Sequence, residues 1–554
     1  MVEFWNDLKW FLQNKIYCCI LFIIGICTYG FVITHYSIGI DDTAILLYFE
    51  NGLAPYMGRW TLYLVNKVLP LTKMSPFFVE LISLVFMLFA ATAWCAVWKK
   101  ICAEKVLIPW YGYVLAAGVF VTCPLISEVY VYYLHNGLCF AYGLVAVAVY
   151  LFIIALQNGY SLKKRLAYLF LSGVLLAISL GCYESMILVY VIGVILSFFM
   201  IQVFSDEKKE QTVSEGVQYW LLSGIITLLV SMLIRSLVVN GLYAFHDWNN
   251  DFSTFDSEQR GSLLSILQIE ISELVMNLKD YFVNYIVNAF CNLPIMMLNI
   301  GYVILGISAF VFGINKKKPW IIISILVVPL LPIAMCLLEE SAVLYRAASY
   351  VPLITSAALL FLLAIMVKYK VNLLKKIYIA LLGILIWTQS TEMNHWFTVD
   401  YMKYTTDREI MIQIAHDLQA QVDISKPIVF RGAVDTPKVL SKNAVIAYSD
   451  SRYKYVDAMM NVFLPDLKWR YSNEDGWKVK ENVYWSTINW GVAAFDGTPK
   501  QLTRFWEMHG YYFEPETDLE NIKEAEKIKE ELDLPEYPVD GYIYECEEYI
   551  IVNL

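Results

Sequence analysis

Two adjacent carboxylates, Asp41 and Asp42, lie just past an apolar run that ends near residue 38, and Gly58-Arg59-Trp60 follows in the same polar segment. Paired carboxylates beside a low-dielectric phase repel each other, which raises the proton affinity of one of them. Such a group can act as a general base. The same pair would also serve as solvating charges at a helix end, or as an N-cap for an interfacial helix over residues 43–50. Arg59 offers a planar guanidinium that grips phosphate bidentately, and Trp60 is a residue type of membrane-interface belts. Pairing with bulk lipid headgroups is the plainer use of Arg59.

Five more ionisable residues fall near apolar-run ends on the same side of the chain's alternating loops: Glu80, Glu128, Glu184, Arg235 and Arg346. Ionisable groups at such depths face a cavity or pair with one another, so structural ion pairs account for several of them. Together, carboxylates and arginines meet the needs of transfer from a lipid-linked phosphate. A carboxylate takes the proton of the acceptor hydroxyl, and arginines stabilise charge on the departing phosphate. In this scheme Asp41 and Asp42 are the catalytic pair, Arg59, Arg235 and Arg346 bind the donor phosphate, and Trp60, Glu128 and Glu184 contact substrate.

The elements that must position these groups are membrane helices. Of 554 residues, 58% are hydrophobic and only 17% charged, against about 25% charged in ordinary soluble domains. The net charge of -10 comes from an acidic last third, so a nucleic-acid partner is excluded. A span needs about 20 apolar residues, and eleven segments are expected: 16–38, 77–97, 105–124, 136–156, 166–181, 186–204, 219–239, 293–313, 320–338, 350–368 and 376–390. The first is too long for a signal-peptide core and is read as a retained helix.

Basic clusters recur in every second loop, at Lys99-Lys100, Lys163-Lys164-Arg165, Lys208-Lys209, Lys316-Lys317-Lys318 and Lys375-Lys376. The positive-inside rule makes those loops cytoplasmic. The N-terminus is then inside, while the loops opening at residues 39, 125, 182, 240 and 339, and the tail, are outside. The expected architecture is mainly α, a polytopic membrane domain over 1–390 followed by an extracytoplasmic α/β domain over 391–554. In that tail, Asp407 to Val422 is apolar at helical spacing, Pro427 to Phe430 reads as a strand, and Gly541 to Leu554 reads as a terminal hairpin. Residues 519–533 read as a charged helix with no apolar face worth burying deeply. Ten of the eleven cysteines accompany apolar segments and read as small core hydrophobes.

The order of motifs resembles the glucosyltransferase II family, multi-pass enzymes of the GT-C class that modify O-antigen and similar surface polysaccharides. The resemblance is carried by the acidic pair in Gly39-Ile40-Asp41-Asp42-Thr43, by Gly58-Arg59-Trp60, by Tyr183-Glu184-Ser185, by Tyr345-Arg346 followed by Pro352, and by Tyr537-Pro538-Val539-Asp540-Gly541 near the end. It covers most of the chain, and Glu184 departs from it where an uncharged Gln is expected, leaving that turn to bind sugar hydroxyls or a cation. The resemblance implies a polyprenyl-phosphate sugar donor, typically carrying glucose, and a glycan acceptor at the outer face of the cell membrane. No cofactor is implied; a divalent cation is the one inorganic ligand open to the acidic residues. The tail holds no D-x-D triplet of a nucleotide-sugar enzyme.

Two other classes compete. A transporter or flippase of lipid-linked sugars would need polar residues across the midplane and a repeated helix pattern, and neither is visible. A membrane-anchored adhesion protein would not need eleven helices. Trp477, Trp485, Trp490 and Trp506 of the tail are candidates for stacking on acceptor sugars, with core packing as the competing role.

Overall fold

The computed structural model describes residues 2–39, 42–43, 53–71, 75–102, 106–130, 135–157, 160–204, 216–245, 278, 293–333, 348–434, 488, 491–492 and 498–554. These residues are mostly helical. Helices α1 (Val2–Leu12), α2 (Lys15–Thr34), α3 (Leu53–Tyr56), α4 (Trp60–Val68), α5 (Pro76–Cys102), α6 (Trp110–Val121), α7 (Asn136–Leu156), α8 (Leu162–Leu180), α9 (Met186–Phe204) and α10 (Val217–Phe245) form the first part. They are followed by α11 (Leu293–Asn315), α12 (Pro319–Val327), α13 (Val351–Lys368) and α14 (Asn372–Gln421).

Among the described residues, eight helices are long and apolar enough to cross a membrane: α2, α5, α7, α9, α10, α11, α13 and α14. The other three expected segments are helical but fall short of that standard. The 12 residues of α6 rise only about 18 Å at 1.5 Å each, less than the roughly 30 Å of hydrocarbon. Helix α8 is long enough but carries Lys163, Lys164 and Arg165 in its first turn, and α12 gives way to a 3-10 turn at Val328–Leu330.

Helix α7 is apolar all round and sits at the centre, packed by α5, α8 and α9, as expected of a helix without a polar face. Helix α10 instead leaves Leu221, Leu222, Leu229, Leu233 and Leu237 exposed, and α14 leaves Leu373, Leu381, Ile384 and Trp387 exposed. Such apolar stripes would be a liability in water; against lipid they cost nothing.

The ends of the bundle differ in charge. At one end α1 lies against α5, with Lys99 bound to Asp7 at 2.5 Å and Lys100 to Glu3 at 2.8 Å. Tyr160, ahead of α8, donates to Glu3, and these contacts hold the Glu3 carboxyl below its usual range, Lys100 contributing most. A chain of contacts joins this corner to the ends of α9 and α13: Trp220 packs on Phe152 and Phe198, Lys316 donates to the Gln202 carbonyl at 2.9 Å, and Lys368 lies over Phe204. The basic loops described thus gather at one end.

Helix α14 runs 50 residues without interruption, crossing residue 390 and continuing to residue 421. Its last turns pack on a three-stranded sheet of β1 (Ile428–Arg431), β2 (Ile543–Glu545) and β3 (Ile550–Asn553), ordered β1-β3-β2. β1 is parallel to β3 with Ile428 opposite Ile550, and β2 is antiparallel to it with Ile543 opposite Val552, the expected terminal hairpin. Both faces are covered, which is why β1 and β3 read as unbroken apolar runs. Ile428, Phe430, Ile550 and Val552 face Met411, Ile414 and Leu418 of α14, with Trp506 from α15 (Lys500–Met508).

Helix α16 (Leu519–Glu531) covers the other face, burying Ile522 and Ala525 against Val429 and Ile551. The expectation that this segment has no apolar face worth burying deeply is corrected here: one isoleucine and one alanine, three apart, suffice against a sheet. Tyr537-Pro538-Val539-Asp540-Gly541 forms a turn into β2, with Gly541 at φ 96°.

Candidate active site

The site forms at the bundle end opposite the basic loops, where Gly58-Arg59-Trp60 meets Tyr183-Glu184-Ser185. Gly58 has φ 75°, and a Cβ there would stand 3.2 Å from the Arg235 guanidinium, so a side chain is disfavoured on both counts. Arg59 then occupies the N-cap position of α4. The first amides of a helix lack internal partners. Those of Thr61 and Leu62 donate to the carbonyl of Gly181 at 2.9 and 3.2 Å. This docks α4 on the turn between α8 and α9. A Cβ on Gly181 would lie 2.4 Å from Thr61 Oγ1 and 2.7 Å from Trp60 Cε2, so the approach needs glycine.

Held in this way, Arg59 Nε reaches Glu184 Oε2 at 3.6 Å, and its guanidinium lies over the Tyr183 ring at 5.0 Å. Arg235, from α10, donates through Nη2 to Glu184 Oε1 at 3.1 Å. Among the described residues, two guanidinium groups therefore share this one carboxylate. The side chains of Arg59, Glu184 and Arg235 remain 27%, 33% and 29% exposed, open to a ligand. The following Ser185 hydroxyl bonds Ser349 Oγ at 2.7 Å, and Tyr142 of α7 donates to the Ser349 carbonyl at 2.7 Å. Ser349 stands three positions after Arg346 in the chain.

A second polar group lies deeper. Glu80 of α5 faces His135 at 3.1 Å, both buried, with the Tyr130 ring 3.9 Å from that of His135. Next to it Asn136 donates to Asn66 at 2.9 Å, tying α7 to α4. The ionisable residue in the apolar start of α5 signalled a partner; His135 was not identified from the sequence as that partner.

The acidic loop is seated on the C-terminal elements. Asp42 is buried, and its Oδ2 accepts the Gly39 amide at 2.7 Å while its own amide reaches the Gly39 carbonyl at 3.3 Å. Asp42 thus reaches back to the Gly39 amide as the third residue of a helix start does, a contact upstream of it and not to the amides of residues 43–50. Asp41 and Arg346 lie outside the described residues, as do Trp477, Trp485 and Trp490. Glu128 closes the 3-10 turn Pro124–Glu128. Trp60 packs at Gly181, inside the motif junction. Trp506 is corrected to a core residue: it is fully buried, and its indole donates to the Met411 carbonyl at 2.7 Å, which leaves no face for a sugar. Among the described residues no group of three or more His, Cys, Asp or Glu could hold a metal ion.

Residues 30–363, well over half of the chain, match the family described as glucosyl transferase GtrII. The chain belongs to this family. It is thus a membrane protein of a glucosyltransferase family, and the matched region contains Asp42, Arg59, Glu80, Glu184 and Arg235. The GtrII match ends within α13, so α14 and the sheet lie beyond it, although the motif resemblance extended to the tail. No curated protein and no solved structure matches the chain at a significant level.

Proposed function

We propose that the chain moves a sugar, glucose by family, from a polyprenyl-phosphate donor to a cell-surface glycan on the extracytoplasmic face. The observation that carries this reading is the carboxylate shared by Arg59 and Arg235: two guanidiniums from separate elements, brought together and part-exposed at a bundle end. A phosphodiester or phosphate anion satisfies that geometry bidentately. Arg346 is proposed as a third donor to it, since its near neighbour Ser349 joins the same junction.

In the proposed reaction the acceptor hydroxyl attacks the anomeric carbon as the bond from that carbon to the phosphate oxygen breaks. The electron pair leaves with the polyprenyl phosphate, whose charge the arginines stabilise. The hydroxyl proton passes to a carboxylate of the first loop. The engagement of Asp42 with the Gly39 amide supports Asp41 as the acceptor and Asp42 as the residue that shapes the turn. Collection of basic loops at the other end supports a cytoplasmic placement for them, and hence an outward site and an outward C-terminal unit over residues 391–554.

Glycan modification measured in cells at matched protein levels tests the reading. Asp41→Asn is expected to abolish it. If Asp41→Asn and Asp42→Asn both modify the glycan normally, the mechanism is wrong. Movement of labelled donor lipid across reconstituted vesicles without sugar transfer would instead make the protein a flippase.

A further inference from the structure

We propose that the C-terminal unit is a positioning device for the acidic loop, with Ser37 and Thr43 as the positioning residues that bracket Asp41 and Asp42. The inference rests on the catalytic role just proposed for that loop and assigns the C-terminal third a part in the reaction.

The loop is fastened on both sides of the acidic pair. Before it, Ser37 Oγ donates to Asp400 of α14, and Asp400 Oδ1 accepts from Lys403 at 2.8 Å. Lys403 is fully buried and Asp400 nearly so. Ile38 is only 1% exposed, packed within the cluster of Met411, Trp506 and Ile550, while Tyr36 packs on the Tyr404 ring. After the pair, Thr43 Oγ1 donates to Gln501 of α15 at 3.3 Å, both buried.

A linker between a membrane helix and the next element needs none of this, and loops normally run in solvent. Burying a Lys–Asp pair contributes little stability compared with apolar packing, so its contact with Ser37, four residues before Asp41, points to orientation as its use. A catalytic group held by contacts on both flanks keeps its attack geometry, and displacement by 1 Å costs about 10²-fold in rate.

The test uses the full-length chain in membranes, with undecaprenyl-phosphate glucose as donor and activity expressed per extracted full-length protein. Ser37→Ala and Thr43→Val should each lower kcat about 10-fold while the donor KM stays within about 2-fold, because the arginine cluster is untouched. Ser37→Thr, which keeps the hydroxyl, should recover most of the rate. The acid limb of the kcat–pH profile should move in Ser37→Ala, as the carboxylate changes surroundings. Wild-type kcat in both Ser37→Ala and Thr43→Val, or a fall in protein level with unchanged specific activity, overturns the inference. If Asp41→Asn is inactive while those two variants are normal, only the positioning role fails. If Asp41→Asn and Asp42→Asn are both active, the catalytic reading fails and takes this one with it.

Discussion

The Thr61 amide donates to the Gly181 carbonyl at 2.9 Å, and this bond brings together two motifs that are more than a hundred residues apart. Gly181→Ala places a methyl group 2.4 Å from Thr61 Oγ1. Overpacking of this kind costs about 1–3 kcal/mol, and it should also separate Arg59 from Glu184. The expected result is a lowered unfolding temperature in detergent together with a rise in donor KM. A variant with normal stability and normal KM would show that the junction is slack.

Arg59 and Arg235 should not tolerate lysine. A compact ammonium cannot reproduce a planar fork, and loss of a single donor to a developing oxyanion costs about 10²–10³ in rate. Arg59→Lys and Arg235→Lys are therefore expected to lose most of kcat/KM at unchanged protein level. Near-normal turnover of either would remove it from phosphate binding.

Glu184→Gln tests the charge balance of the cluster. Glu184 neutralises one of two guanidiniums, and a pair about one-third exposed is worth on the order of 0–1 kcal/mol. The glutamine keeps the shape and releases the charge, so the donor KM should fall by about 2- to 5-fold, given that 1.4 kcal/mol is tenfold. Titration with the donor in membranes measures it; a raised KM would mean that Glu184 itself contacts substrate.

Much of this site was legible in residue types and little of it in partnerships. Arg59, Arg235 and Glu184 stood out because charge is rare in apolar segments. That they form one cluster depends on how α4, α8 and α10 pack, which no local pattern encodes. The basic first turn of α8 and the 12 residues of α6 explain the smaller number of full-length spans, since window hydropathy does not ask whether a helix is long enough or where its charges sit. In the tail, strand chemistry was clear in β1 and β3, whereas the buried side of α16 was concealed by flanking Glu and Lys. Trp506 reads alike as a sugar platform or a core ring until its indole donor finds the Met411 carbonyl.

Removing one member of the Glu80–His135 pair should be more harmful than removing both. A buried polar group deprived of its hydrogen-bond partner costs about 1–3 kcal/mol, whereas replacing both partners by apolar groups of the same shape is nearly neutral. Glu80→Leu is expected to lower the unfolding temperature in detergent more than Glu80→Leu combined with His135→Leu. The reverse order would mean that the two do not act as a pair.

His509 makes the C-terminal unit sensitive to acid. Its Nδ1 bonds the Phe505 carbonyl at 2.7 Å and its Nε2 meets Tyr404 Oη at 3.2 Å. Burial pushes the imidazole below its usual 6.5, the Phe505 carbonyl opposes that, and the Arg408 charge adds to it. The unfolded chain then binds more protons than the native one below about pH 6.5, so stability falls as pH drops through that point and levels off below the native value. Unfolding midpoints between pH 7.5 and 5.5 should decline in the wild type and less so in His509→Gln. Equal slopes would assign the acid sensitivity elsewhere.

The unbroken helix α14 has a mechanical consequence. Fifty residues at 1.5 Å each make a rod about 75 Å long. One half is fixed among membrane helices and the other is cemented to the sheet. Such a rod admits no hinge between the two bodies, so torque applied to the sheet, by an arriving polymer for example, would be delivered into the bundle as rotation of a single shaft.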